Sequence, residues 1–166
     1  VFGDGENFTL LIDIKTAGEP TFQALNKLLA EYRDILSHFD QGQWHPGAVT
    51  AIVSGNRPVE LITQTSPRFA GIDGRLSDLD SKRPAHLMPL ISDNWNMHFS
   101  WRGQGEFPAA ERKKLEEIVS KSHADGRRIR LWATADTPAM WNALREADVD
   151  LINTDNLSGL REFLTK

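Results

Sequence analysis

The chain has 166 residues, 40% of them hydrophobic and 25% charged, with a formal net charge of −4 and no cysteine. Such a composition belongs to a single globular domain, 1–166, long enough to bury a core. It excludes disulfides, thiolate catalysis and Cys-ligated zinc. It also speaks against non-specific nucleic-acid binding, which relies on cationic neutralisation of phosphates.

The first predicted strand, Leu10–Lys15, is so apolar that it reads as buried on both faces. Gly18-Glu-Pro20 breaks it. From Thr21 onward, Phe22, Leu25, Leu28, Leu29, Tyr32, Ile35, Leu36 and Phe39 recur at helical intervals, which predicts one long helix laid on a sheet. A loop with Gly42, Pro46 and Gly47 leads into a β-branched strand, Ala48–Ser54, stopped by Gly55-Asn-Arg-Pro58. Pro58–Gln64 reads as a short helix. Phe69–Ile72 and Leu87–Ser92 read as strands that end in Asp73-Gly-Arg75 and Asp93-Asn-Trp95.

Residues 96–105 read as a long ordered loop. Pro108 then opens a helix with Leu115, Ile118 and Val119 as its buried stripe, and Gly126 is placed to end it in a left-handed cap. Ile129–Thr134 is the next strand. Thr137-Pro138 supplies an N-cap and an N1 proline to a helix that buries Met140, Trp141 and Leu144. Val149–Thr154 is the last strand and Leu157–Leu164 the closing helix. No apolar run reaches the length of a membrane span, and no signal-peptide pattern opens the sequence.

Regular βα alternation, without a hairpin signal such as Asn-Gly, predicts a mainly parallel sheet. Six strands fit two architectures. One is an open six-stranded parallel α/β sheet. The other is the last six units of a TIM-type (β/α) barrel, which in full takes roughly 250 residues.

Several strand ends resemble a known family. Leu11-Ile-Asp-Ile-Lys15 resembles the glycerophosphodiester phosphodiesterase motif in which a strand ends as acid, apolar, lysine. Leu131-Trp-Ala-Thr134 and Asp150-Leu-Ile-Asn-Thr-Asp155 resemble the last two strands of that family. Ile52-Val-Ser-Gly-Asn-Arg-Pro58, Asp73-Gly-Arg-Leu-Ser-Asp78 and Pro89-Leu-Ile-Ser-Asp-Asn-Trp95 look like a bacterial and fungal branch of the phosphatidylinositol-phospholipase-C-like superfamily. The resemblance implies an incomplete barrel with strands three to eight. The catalytic histidine pair and two acidic metal ligands of that superfamily would lie on a missing amino-terminal part. Asp13 stands where the wider family has glutamate, and Asp148 where glycine is common, at a point that favours a left-handed backbone. Members of this branch are often exported, so the resemblance implies a secreted or periplasmic location.

Asp13 and Lys15 are two apart on one strand and project to the same face. A carboxylate there can hold a divalent cation, Ca or Mg, and an ammonium can balance a phosphate. The plain alternative is an ion pair that positions a loop. Asn56 and Arg57, Asp73 and Arg75, and Asn94 and Trp95 follow three successive strands and are candidate substrate-binding residues. A guanidinium fork suits phosphate oxygens, an amide can orient a hydroxyl, and an indole can cover an apolar or sugar face. The alternatives are rim packing, or pairing of Arg57 and Arg75 with Asp73 and Asp78. Trp132 is either a pocket wall or plain core. Asn153 and Asp155 share a face, with helix capping as the other use of Asp155. The five histidines lack metal-ligand spacing, and His98 alone follows a strand end closely.

The expected function is a metal-assisted phosphoric diester hydrolase acting on a small glycerophosphodiester or phosphoinositide-like substrate. Lys15 is its catalytic cation, Asp13 its metal ligand, and the acid–base histidines come from elsewhere. On this reading the chain alone is inactive. Two alternatives stand beside it: a lysine-dependent aldolase using Lys15 as Schiff-base nucleophile, and a non-catalytic module with a vestigial site.

Overall fold

The apolar run at the start of the chain forms strand β1 (Phe8–Ile14) in the computed structural model, which describes residues 7–165. Helix α1 (Gly18–Ala30) follows, then the short strands β2 (His38–Asp40) and β3 (Gln43–His45), the strand β4 (Val49–Gly55), helix α2 (Val59–Gln64) and strand β5 (Ala70–Gly74). With Arg83–Pro89, these residues up to Asp73 make one of two compact units. Its sheet has the order β1-β4-β5, parallel throughout. β4 is the central strand, and its β-branched residues are buried: Ile52 and Val53 are both sealed from solvent.

Two expectations for this unit are corrected. The predicted long helix stops at Ala30, and the chain turns through Tyr32, Ile35 and Leu36. Phe39 then enters an antiparallel hairpin, β2–β3, in which His38 opposes His45. Gln41 and Gly42 form its two-residue loop, both with positive φ (48° and 79°), the conformation of a type I′ turn. Glycine at the second position makes that turn accessible, while the helical spacing of the apolar residues masks it. The second correction concerns β1. Phe8 is 49% and Leu10 39% exposed, and they border an apolar groove with Tyr32 and Ile35. Among the described residues of this unit, β1 is an edge strand covered on one flank.

The other unit holds Gly74–Lys82 and Leu90 onward. It contains a 3-10 turn (Leu76–Asp78), strand β6 (Leu90–Asn94), the one-turn helix α3 (Trp95–His98), helix α4 (Ala109–Ala124), strand β7 (Arg128–Trp132), helix α5 (Pro138–Glu146), strand β8 (Leu151–Ile152) and helix α6 (Leu157–Leu164). Here too the strands are parallel and in chain order, β6-β7-β8. Within each unit the strands therefore follow the pattern of an open parallel α/β sheet.

The helix ends follow local chemistry. Thr137 accepts from the Met140 amide at 3.3 Å and Pro138 sits at N1, a cap worth about 1 kcal/mol. α4 ends at Gly126 with φ 68°, and the Arg127 amide donates back to the Ser122 carbonyl, a Schellman closure. α5 ends the same way, but on Asp148, whose φ is 60°. The Val149 amide reaches the Leu144 carbonyl and the Asp148 amide that of Arg145. The left-handed position expected at Asp148 is therefore present, without the glycine.

Arg127 is almost wholly buried and acts as a staple. Its guanidinium donates to the carbonyls of Asp78 (2.9 Å) and Ser81 (2.8 Å). Those bonds hold the turn after Gly74 against the start of β7.

Candidate functional site

Parallel register decides which side chains meet. β1 pairs with β4 so that Asp13 lies opposite Ser54 and Ile14 opposite Gly55. β4 pairs with β5 through Val53 and Ile72, which sets Ser54 beside Asp73. Paired residues of parallel strands project to the same face. Asp13, Ser54 and Asp73 thus form one polar row at the carboxyl ends of three strands.

Ser54 Oγ donates to Asp73 Oδ2 at 2.6 Å, the length of a charge-assisted hydroxyl–carboxylate bond. Asp73 is only 1% exposed. Arg57 donates from Nη1 to the Asp73 carbonyl oxygen, so the guanidinium lies along the end of β5. Asn56 donates from Nδ2 to the Thr16 carbonyl at 2.8 Å and ties the loop after β4 to the loop after β1. Lys15 Nζ and Asp13 Oδ2 form an ion pair of 2.7 Å, with side chains 79% and 48% exposed.

Gly55 makes this crowding feasible. Its φ is 70°, and a Cβ there would strike both Asp13 Oδ1 and the Ile14 carbonyl. The next residues, Asn56, Arg57 and Pro58, line an open cleft with Gly18 and Glu19. This unit therefore brings together Asp13, Lys15, Asn56, Arg57 and Asp73 from the sequence-derived set. It adds Ser54, whose place in the row depends on strand register and which the sequence marked only as part of a motif.

In the other unit, β6 and β7 pair Asn94 with Trp132 and Ser92 with Arg130. Asn94 and Trp132 share a face, and Trp132 is half-buried. The Asn94 side chain accepts from the Asn96 amide at 2.9 Å and caps α3. Arg75 donates to the carbonyls of Gly74 (2.9 Å) and Ser92 (3.4 Å), and its amide donates to Asp78 Oδ2. The expected Arg75–Asp78 relationship is thus partly a capping one.

Trp95 is placed differently from a ligand-facing indole. It is 0% exposed, stacks on Phe99 at 4.1 Å and donates to the Trp101 carbonyl at 2.7 Å. Its satisfied N–H makes it a core residue beneath the strand end. His98 Nε2 lies 3.2 Å from Asp93 Oδ2 without hydrogen-bond alignment. Asp93 also accepts from the amides of Leu76 and Asn94, and it pairs in register with the buried Leu131. That pair belongs to the packing layer. Arg130 donates to the Asn153 side chain, and Thr154 and the Asp155 amide both bond Asp136. The cap of α6 falls to Asn156, not Asp155.

Among the described residues, no group of three or more His, Asp or Glu side chains is arranged to hold a metal ion. Asp13 is already engaged by Lys15 and Asp73 by Ser54, so these two carboxylates do not by themselves make a cation cradle. No helix of the described residues is long and apolar enough to cross a membrane.

Comparison with known proteins adds a family likeness. Residues 3–71 match the model of the AIM6-like phosphodiesterase domain. The chain is 26% identical, over 95% of its length, to "Altered inheritance of mitochondria protein 6" of Eremothecium gossypii. It is 25% identical, over 96% of its length, to the "Altered inheritance of mitochondria protein 6 homolog" of Arthroderma benhamiae. It spans about half of each relative, 46% and 54%. No solved structure matches it.

Proposed function

We propose that this chain is part of a phosphodiesterase-type hydrolase and supplies the phosphate-binding side of its site, for a small glycerophosphodiester or phosphoinositide-like substrate. The observation that carries this reading is a coincidence of two independent features. The segment that resembles a phosphodiesterase domain, residues 3–71, contains Asp13, Lys15, Asn56 and Arg57. Those are the residues clustered at the strand ends of the first unit.

The chemistry follows from charge. A phosphodiester carries one negative charge, which grows on the non-bridging oxygens during displacement. The Lys15 ammonium and the Arg57 guanidinium are the cations of this rim, and fixed cations aimed at developing charge lower the barrier. Asp13 holds the ammonium in place. Ser54 holds the Asp73 carboxylate, and Arg57 is laid along that strand end. Asn56 keeps the loop that carries Arg57 tied to the loop that follows Lys15. The finer reading takes the chain as strands three to eight of a (β/α) barrel, with the acid–base histidines on the remaining part. A divalent cation held partly by Asp13 is proposed as cofactor only in that completed site.

A non-catalytic module is the second reading. It is favoured by the mutual neutralisation of Asp13 and Lys15 and by the engagement of Asp73 with Ser54. An aldolase-type Lys15 has no such support. A Schiff-base lysine is activated by desolvation or a neighbouring cation, whereas Lys15 is exposed and bound to a carboxylate.

The test is calorimetry of the chain with glycerophosphocholine and glycerophosphoinositol, with and without Mg and Ca, alongside a hydrolysis assay. Weak binding that falls about tenfold in Lys15→Ala and Arg57→Ala, a loss of roughly 1.4 kcal/mol, supports the phosphate-binding role. Binding without turnover fits a chain that lacks its acid–base groups. Absence of binding under all conditions favours the non-catalytic module.

A further inference from the structure

Three imidazoles that the candidate site does not use converge on the β2–β3 hairpin. His38 and His45 face each other across it, with ring centroids 4.7 Å apart and planes within 15°. His38 is buried, its Nδ1 lies 3.0 Å from the Leu36 carbonyl, and it also stacks on Phe69. On the other side of the hairpin, His86 lies flat on Phe39 at 4.7 Å and near Trp44 at 5.9 Å. Its Nδ1 is 3.0 Å from Nη2 of Arg68, a guanidinium only 3% exposed.

Arginine has no acceptor, so His86 Nδ1 must be the acceptor in that bond and carry no proton. Protonation of His86 would replace a hydrogen bond with two cations 3.0 Å apart. Arg68 is also the residue that anchors the hairpin. Its amide and carbonyl pair with those of Phe39 at 2.9 Å each, and its guanidinium lies over the Phe39 ring.

We propose that the β2–β3 hairpin and the segment carrying His86 form an acid-released latch, closed while His86 accepts from the hairpin's anchor Arg68 and opened when that imidazole becomes cationic. The charges flanking the latch are of both signs. On β2, Asp40 is taken by Arg33 at 2.9 Å. From the residues leading into β5 comes Arg68, whose guanidinium meets His86. Among the described residues, no carboxylate lies within ion-pair distance of His38, His45 or His86. Partial burial and the Arg68 charge both hold His86 below its ordinary 6.5. Burial also lowers Arg68, to about 10, which still leaves it cationic near neutrality.

The sign is fixed by the neutral form being the bound one. A base whose folded value is depressed contributes fully above its unfolded value and loses that contribution as pH falls below it. The latch is therefore closed above about pH 6.5 and opens progressively below it. It sits at the amino ends of β4 and β5, away from the Asp13, Ser54 and Asp73 row at their carboxyl ends.

Amide hydrogen exchange read residue by residue at pH 7.5 and pH 5.0, corrected for intrinsic rates, tests the latch. Protection of the Phe39 and Arg68 amides should fall at least tenfold at pH 5.0, while that of the Ile52 and Val53 amides of β4 holds. In the H86Q variant, which keeps an acceptor for Arg68 without a titrating group, the acid loss should shrink to less than threefold. Equal protection of Phe39 and Arg68 at both pH values in the unaltered chain overturns the proposal, and that arm needs no variant. An undiminished loss in a folded H86Q variant overturns it as well.

Discussion

Ser54 and Asp73 lie on adjacent parallel strands, and the 2.6 Å bond between hydroxyl and carboxylate helps to compensate a carboxyl buried at the end of β5. A carboxylate so far from solvent is costly unless donors meet it. Here the register of β4 with β5 delivers one. Removing that hydroxyl in Ser54→Ala should cost about 1–3 kcal/mol, the range for a buried polar group that loses a partner. Urea unfolding of Ser54→Ala, Asp73→Asn and the double variant should show a coupling of at least about 0.5 kcal/mol. Strict additivity would mean that the two groups do not support each other.

Trp95 supplies a prediction that separates core from ligand-facing roles. Trp95→Phe loses the N–H donated to the Trp101 carbonyl and should destabilise the chain by about 1–2 kcal/mol. Any affinity for a phosphodiester should stay within twofold, because the ring is enclosed by protein. A selective loss of affinity with unchanged melting temperature would restore Trp95 to the binding surface.

Asp148 offers a stabilising change. It closes α5 with φ 60°, a conformation that costs a residue with a Cβ roughly 1 kcal/mol relative to glycine. Its exposed carboxylate is 3.8 Å from His123 and contributes little. Asp148→Gly should therefore raise stability by up to about 1 kcal/mol in thermal or urea unfolding. Destabilisation would show that the carboxylate matters more than the backbone.

Glu111 ties α4 to the loop before it. Desolvation pushes its carboxyl up, but the Ser100 hydroxyl, the Ser100 and Trp101 amides and the Lys114 charge together pull it below the ordinary 4.5. A depressed carboxyl contributes stability above its unfolded value and loses it as pH falls through the folded value. Glu111→Gln should thus flatten the decline in stability expected below about pH 4.5. An unchanged acid limb would show that Glu111 does not contribute to it.

Much of the fold could be read from short stretches of chain. Thr137-Pro138 announces the start of α5, Pro108 and Gly126 bracket α4, and the residues at Leu115, Ile118 and Val119 are buried as their spacing requires. The hairpin escaped notice because Gln41-Gly42 sits inside an apolar pattern that mimics a helix, and only the pairing of His38 with His45 reveals it. The candidate site was half visible. Asp13, Lys15, Asn56, Arg57 and Asp73 stand out as polar residues after apolar runs, whereas Ser54 looks like any strand serine.

Where the governing interactions span a few residues, the amino-acid order was enough: strands, most helices, their caps and the left-handed turn at Asp148 all follow from local sterics and hydrogen bonding. Which side chains meet was settled only by tertiary structure. One residue of register separates the row of Asp13, Ser54 and Asp73 from the opposite face of the same strands, and packing alone encloses Trp95 while leaving Phe8 and Leu10 exposed. The physical reason is that strand pairing and burial join residues dozens of positions apart, and no short window of sequence encodes them.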